Sequence, residues 1–331
     1  MKQPSLPSSR RSGFTLMDLL VTLGCCTVAT CLFAPALVQW QATADLDTCK
    51  QNLQKLGKSF QQFEQAKGGL PPRRTGGGFG NAPYGGWGGQ VLPYMHEKLA
   101  AGYHSDYDFF DPINKKVVET KVTEFVCPAA PADRKLLIRS NASGASANPN
   151  KDTLFEIECG LNDYIASNGF FMPRTGYGVG WPEGGLGNQR QAMTDTDNRP
   201  LTQITDGLSQ TILIIEKAGA PATWRNGKKE SDDNLFAGEN ISRGTWAGYG
   251  SIAFAPMDPT SKDGLRSARG DSTDCTVNCN NTFGIYGFHE KGANILLCDG
   301  AVRFVTPKLD GLTFGRLTTR DDGQLITNDS F

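Results

Sequence analysis

Gly13-Phe14-Thr15-Leu16-Met17-Asp18, followed by an apolar run as far as Pro35, is the stretch that decides how this chain is organised. Three cations precede it, Lys2, Arg10 and Arg11, and from Phe14 to Trp40 the one formal charge is Asp18. At about 1.5 Å rise per residue, a helix of that length reaches across a bilayer. A basic flank stays on the cytoplasmic side, so everything after Trp40 is expected beyond the membrane. A secretory signal ends its apolar region in small residues and is cut there. Here the run continues directly into an amphipathic stretch, which predicts an anchor that is retained. Asp18 needs a partner or water, because an ionised group at the bilayer centre costs about 2.5–3.5 kcal/mol on insertion scales.

Beyond the apolar run, Leu46, Cys49, Leu53, Leu56, Phe60 and Phe63 recur at steps of three and four and form one apolar helical face. Lys50, Gln54, Lys58 and Gln62 fall largely on the opposite side. Gly68-Gly69 and Pro71-Pro72 end the helix. The sequence therefore predicts one long helix with its first half in lipid and its second half on a folded head. The expected division is 1–13 as a basic cytoplasmic flank, 14–39 as a transmembrane helix, 40–67 as its amphipathic continuation, and 68–331 as the head.

After residue 67 helical patterns thin out and Gly, 39 in all, becomes frequent, which favours a β-rich, loop-rich body and an α+β class overall. Thr75–Gln90 reads as a glycine-rich loop carrying Phe79, Tyr84 and Trp87. Val91–Met95 opens a short helix or turn. Val117–Val126 alternates and predicts a strand running into Cys127-Pro128. Asn141–Lys151 and residues 173–200 and 256–282 read as polar loops. Thr211–Glu216 is an apolar strand. Asp299-Gly300, set between Asn294–Cys298 and Ala301–Val305, is a hairpin signal, for which a type I′ turn is expected.

Of nine cysteines, Cys25, Cys26 and Cys31 lie in the apolar run as small apolar residues. Six others remain, and an oxidising compartment permits pairing without choosing it. Cys275 and Cys279 are close enough to close a short loop, free buried thiols being the alternative. The net charge is −1, and −4 without the three cations ahead of Phe14, which argues against a nucleic-acid surface.

The string around Gly13 resembles the type III, type IV pilin-like prepilin signal, shared with type II secretion pseudopilins. The resemblance implies that 1–13 is a cytoplasmic prepilin leader, and that a prepilin peptidase cuts after Gly13 and methylates Phe14. Asp18 stands at the fifth mature position, where the family has Glu, and would neutralise the amino terminus of a neighbouring subunit. Pro35 matches a helix-kinking proline. Over the whole chain, His289 followed after nine residues by Asp299-Gly300 resembles the H-X9-DG motif of the bacterial DUF1559 family. Cys49 with Asn52-Leu53, Leu70-Pro71-Pro72, Phe125-Val126-Cys127-Pro128, Asn162-Asp163-Tyr164, and Thr205-Asp206-Gly207 running to Glu216 resemble its further boxes. That family has been grouped with pilin-like proteins and, loosely, with extracellular solute-binding proteins.

Candidate chemistry is sparse. His289 is a ligand or base by type, though satisfying backbone groups ahead of a hairpin is the simpler role. Asp299 is explained by its turn. Glu216 ends an apolar strand and is placed to accept hydrogen bonds, with partnership to His289 left open. Asp195, Asp197 and Asn198 fail the EF-hand spacing, with Arg199 in place of an oxygen ligand. Asp271 and Asp274, with Asn278 and Asn280, are a weak candidate for Ca2+, a solvated loop being simpler, so no metal or other cofactor is expected. Gly57-Lys58-Ser59 ends like a phosphate-binding loop but has Asn52 in the first glycine position. His96-Glu97 lacks a second His at Ala100. No enzyme is expected. The expected function is an inner-membrane-anchored, pseudopilin-like assembly subunit with prepilin peptidase and pilin-like subunits as partners. The competitor is a tethered solute- or glycan-binding module using Trp87, Tyr177, Trp181, Trp224 and Trp246.

Overall fold

The computed structural model describes residues 15–76, 82–141, 145–149, 154–170, 190–195, 197–232, 244–254, 275–324, 326 and 331. At 29, 30, 32, 33, 35, 168 and 251–254 it describes the backbone alone. Helix α1, Leu16–Lys67, is a single run of 52 residues that continues through position 35. Among the described residues no helix is long and apolar enough to cross a membrane. Phe14 and the side chains at 29, 30, 32, 33 and 35, all within the run expected to cross, lie outside that description. The chain forms two compact units, Met1–Ala44 and Asp45–Phe331.

The amphipathic face is as the spacing requires. Cys49, Leu53, Leu56, Phe60 and Phe63 are all buried and Leu46 is half-buried, while Lys50, Gln54 and Lys58 are exposed. The helix stops where Gly68 takes φ +78°, the left-handed conformation that a residue without Cβ adopts at low cost. Its N–H closes the last turn on Glu64 O at 2.7 Å.

Strands follow as β1 (Arg74–Thr75), β2 (Gly85–Gly86), β3 (Leu136–Asn141), β4 (Leu154–Cys159), β5 (Tyr164–Phe170), β6 (Ile212–Glu216), β7 (Thr223–Arg225), β8 (Lys228–Ser231), β9 (Ser251–Phe254), β10 (Ala293–Leu297) and β11 (Val302–Val305). Short helices are α2 (Trp87–Val91), α3 (Glu97–Ala100), α4 (Lys115–Val118) and α5 (Gly311–Thr318). The chain is thus α+β. Five strands form the main sheet in the order β11-β10-β6-β5-β9, antiparallel except for the parallel β5–β9 pair. The central strands β6 and β10 are buried at every position, which is why they read as continuous apolar runs. Leu296, Ile214 and Tyr164 pack with the α1 face. Ile295, Leu297, Ile215 and Ile165 pack on the opposite side with Phe314 and Leu317 of α5. The head is therefore three layers, with the sheet between the second half of α1 and α5.

Two expectations are corrected here. The segment 117–126 is not a strand. Its first two residues end α4 and a 3-10 turn follows at Thr123–Phe125, with Val117, Val118, Val122 and Phe125 buried. The hairpin is real but its turn is not type I′, because only Gly300, at φ +88°, is left-handed. Gly300 N–H donates to Leu297 O at 3.0 Å and Leu297 N–H to Ala301 O at 2.9 Å, giving a three-residue loop. Asp299 braces it by accepting from Ala301 N–H at 2.8 Å.

Candidate functional site

Five of the sequence boxes meet at one buried point against the head portion of α1. Cys49 presents from the helix, and one turn on Asn52 donates its Nδ2 to Thr123 O and Val126 O, each at 3.1 Å. Those two bonds clamp the Cys127-Pro128 strap onto the helix, and the Cys49 and Cys127 sulfurs are paired as a disulfide with Cα atoms 5.3 Å apart. Cys127 N–H donates to Asp163 Oδ2 at 3.0 Å. Asp163 takes both arms of Arg134, at 2.6 Å and 2.8 Å, and the Gly219 N–H at 3.1 Å. This bidentate pair is buried on both sides.

Glu216 and His289 enter from the sheet. Glu216, the last residue of β6, accepts through Oε2 from Asn294 N–H at 2.8 Å and Asn294 Nδ2 at 3.1 Å. Its other oxygen, Oε1, lies 3.2 Å from His289 Nε2 yet receives no aligned hydrogen bond. A tight reversal bridging His289 to Gly292, with Lys291 at φ +73°, turns the imidazole inward. His289 Nε2 is also 3.4 Å from Cys127 Sγ. Donor atoms of Cys49, Cys127, Glu216 and His289 all lie within 4.8 Å of one another, and all four residues are buried. Gly287 gives this approach room, since a Cβ there would stand 3.1 Å from Glu216 Oε1. Tyr164 closes the site, and burial, with the Glu216 and Asp163 carboxylates nearby, pushes its phenol well above the usual range.

The two ends of the H-X9-DG motif do different things. His289 belongs to the cluster, whereas Asp299-Gly300 sits at the far end of β10. There Gln61 Nε2 donates to Asp299 O at 3.2 Å, and a Cβ at Gly57 would stand 3.5 Å from Gly300 Cα. A five-residue strand spans about 17 Å, and the twelve residues from Cys49 to Gln61 span about 18 Å of helix. The spacing in the motif thus matches a strand laid along the helix, one end at the cluster and the other at the hairpin.

The remaining candidates are placed elsewhere. Gly13, Phe14, Asp271 and Asp274 lie outside the described residues, as do Phe79, Tyr177 and Trp181. Asp18 accepts from Thr15 N–H at 3.0 Å and Thr15 Oγ1 at 2.7 Å, and its own N–H donates back to Thr15 Oγ1 at 3.2 Å, a reciprocal cap on the start of α1. Asp195, weighed as an oxygen ligand, is occupied by Arg73 and Arg74, with Arg74 Nε at 2.8 Å. Cys275 and Cys279 are paired as a short loop, while Cys159 and Cys298 are free and buried. Trp87 and Trp246 are core residues that flank Phe125, Trp246 stacked on it and Trp87 tilted against it, and Trp224 packs edge-on against Phe288. The sequence leaves a Glu216–His289 partnership open and gives nothing that joins either residue to Cys49 or Cys127. Their shared signal was only that each sat in a box.

A family model described as "Protein of unknown function (DUF1559)" matches residues 47–312, which takes in every box from Cys49 to Gly300. The chain belongs to that family. No curated protein and no solved structure matches it.

Proposed function

We propose that the chain is a membrane-anchored, pseudopilin-like assembly subunit, cut after Gly13 and methylated on Phe14 by a prepilin peptidase. The observation that carries this reading is the first half of α1. Leu16, Met17, Leu19, Leu20, Leu37 and Trp40 are each more than half exposed, an apolar surface that water does not tolerate on this scale. Lipid, or the helices of neighbouring subunits, would cover it. The Cys49–Cys127 and Cys275–Cys279 pairings suit an oxidising compartment beyond the inner membrane. In an assembly, Asp18 would exchange its contact with Thr15 for a neighbour's terminal amine, at a position where a buried carboxylate needs a cation. Intact mass tests the processing step: the mature chain should lack Met1–Gly13 and carry one added methyl group, and Gly13→Ala should abolish both. A chain that keeps Met1 and fractionates away from membranes without detergent overturns the proposal.

A second reading, a tethered solute- or glycan-binding module, is favoured by a separate observation. A cleft of about 400 Å³ opens in the head, lined among others by Phe63, Tyr84, Gly85, Gly89, Gln90 and Tyr103. It uses the glycine- and aromatic-rich segment but not Trp87 or Trp246. Cross-linking of cells separates the two readings. A subunit gives a ladder of multimers, whereas a binding module stays monomeric and is protected from proteolysis by its ligand.

A further inference from the structure

We propose that Cys49, Cys127, His289 and Glu216 form a redox-gated zinc site, in which the Cys49–Cys127 disulfide is the metal-free state. The donor set is one that zinc takes: two thiolates, an imidazole and a carboxylate around a closed tetrahedron. With zinc–sulfur bonds of about 2.3 Å and zinc–nitrogen or zinc–oxygen bonds of about 2.0–2.2 Å, tetrahedral edges fall at about 3.3–3.8 Å. Two edges already have nearly that length. His289 Nε2 lies 3.4 Å from Cys127 Sγ and 3.2 Å from Glu216 Oε1. The remaining change is for the two sulfurs to part from bonding contact, and no donor in the set is more than 4.8 Å from another.

A second observation points into the same space. Glu216 Oε1 is fully enclosed and aimed at the cluster, where it faces His289 Nε2 at 3.2 Å without an aligned hydrogen bond. A buried carboxylate oxygen with no aligned donor is costly, and a cation between it, the imidazole and the sulfurs removes that cost. Its sister oxygen is held by the backbone and side chain of Asn294, the arrangement by which supporting groups orient a metal-binding carboxylate. His289 and Glu216 alone are two ligands, too few for a closed zinc site, so the disulfide state does not hold the ion.

Release follows a balanced exchange. The two zinc-bound thiolates react with an external disulfide, forming the Cys49–Cys127 bond and liberating Zn2+ and two thiolates of the oxidant. In reverse, a dithiol reduces the protein disulfide and becomes a disulfide itself, and zinc binding displaces the two thiol protons. Nothing in this depends on the membrane anchor.

The test uses the full chain in detergent, prepared once under non-reducing conditions and once with a dithiol, each loaded with Zn2+ and freed of excess metal. The reduced form should retain about one zinc per chain and the oxidised form none. Co2+ in place of zinc should show thiolate-to-cobalt charge transfer and the visible bands of tetrahedral coordination. Cys127→Ser and His289→Ala should lose the metal and the spectrum. Glu216→Gln, which keeps the shape of the side chain, should weaken binding at least tenfold. A double variant, Cys159→Ser with Cys298→Ser, should bind as the wild type does. A reduced chain that unfolds or stays metal-free overturns the proposal. So does equal zinc in both redox states, or retention of zinc by Cys127→Ser and His289→Ala.

Discussion

Asp163 holds four groups with one carboxylate: both arms of Arg134 and the N–H groups of Cys127 and Gly219. Its side chain is fully buried and that of Arg134 is only 5% exposed. Removing one member of such a pair leaves a buried charge without compensation, at a cost of about 3–5 kcal/mol. Asp163→Ala should therefore lower the unfolding free energy by that amount in chemical denaturation. A loss below about 1 kcal/mol, the scale of a surface pair, would show that Arg134 finds water instead. Glu124 offers a pH test on a second carboxylate. Burial acts to raise it, but hydrogen bonds from His96, its own N–H, Lys55 and Thr123 outweigh that and hold it at about 2. The unfolded value is about 4.3. A depressed carboxylate contributes stability that is complete above its unfolded value and is lost as pH falls through the folded one. The stability gap between wild type and Glu124→Gln should thus be constant above about pH 5 and close between about pH 4 and 2. A gap that does not vary with pH would remove the ionised carboxylate from the account.

At the level of elements, what could be read in the sequence was whatever carries its own period or punctuation. The second half of α1 declared its buried face by three- and four-residue spacing, β6 by an unbroken apolar run, and the β10–β11 hairpin by Asp299-Gly300. Helix α5 gave no such signal. It has eight residues with Gly311 and Gly315 among them, and it stands because Asp310 caps Thr313 N–H and Phe314 and Leu317 fill the core behind the sheet. Segment 117–126 misled for a related reason: Val117, Val118, Thr120, Val122, Thr123 and Val126 are β-branched and favour a strand by type, although the chain is helical at Val117–Val118 and again at Thr123–Phe125. The hairpin supports a prediction at this scale. Gly300 has φ +88°, and an added Cβ would stand 2.8 Å from Gln61 Nε2, so the amide that binds Asp299 O must move. Gly300→Ala should cost about 1–2 kcal/mol from the left-handed backbone alone, read as a lowered midpoint of thermal unfolding. A midpoint equal to the wild type would mean that the loop relaxes into another turn.

For the whole molecule, the fold was legible as a class and the cluster was not. Cys49 and Cys127 are 78 positions apart, and nothing local in either segment specifies the other. Closing that loop contributes about 4–5 kcal/mol in the chain-entropy model, so the pairing adds to the packing that ties the second half of α1 into the head. The compact head begins at Asp45, within the helix and not after it. Two truncations separate these possibilities. A chain starting at Asp45 keeps Cys49, Leu53, Leu56, Phe60 and Phe63, all buried, and should fold cooperatively and remain in solution without detergent. A chain starting at Gly68 loses all five. At about 1.5–3 kcal/mol for each large apolar side chain, that loss is comparable to the whole net stability of about 5–15 kcal/mol for a typical protein. It also strands Cys127, His289 and Glu216 beside an open groove. The shorter chain should therefore aggregate or be digested at low protease concentration, while the longer one resists and unfolds in a single transition. Cooperative unfolding of the chain that starts at Gly68 would make the helix an appendage of a self-sufficient sheet, and the cluster at its surface would lose its structural basis.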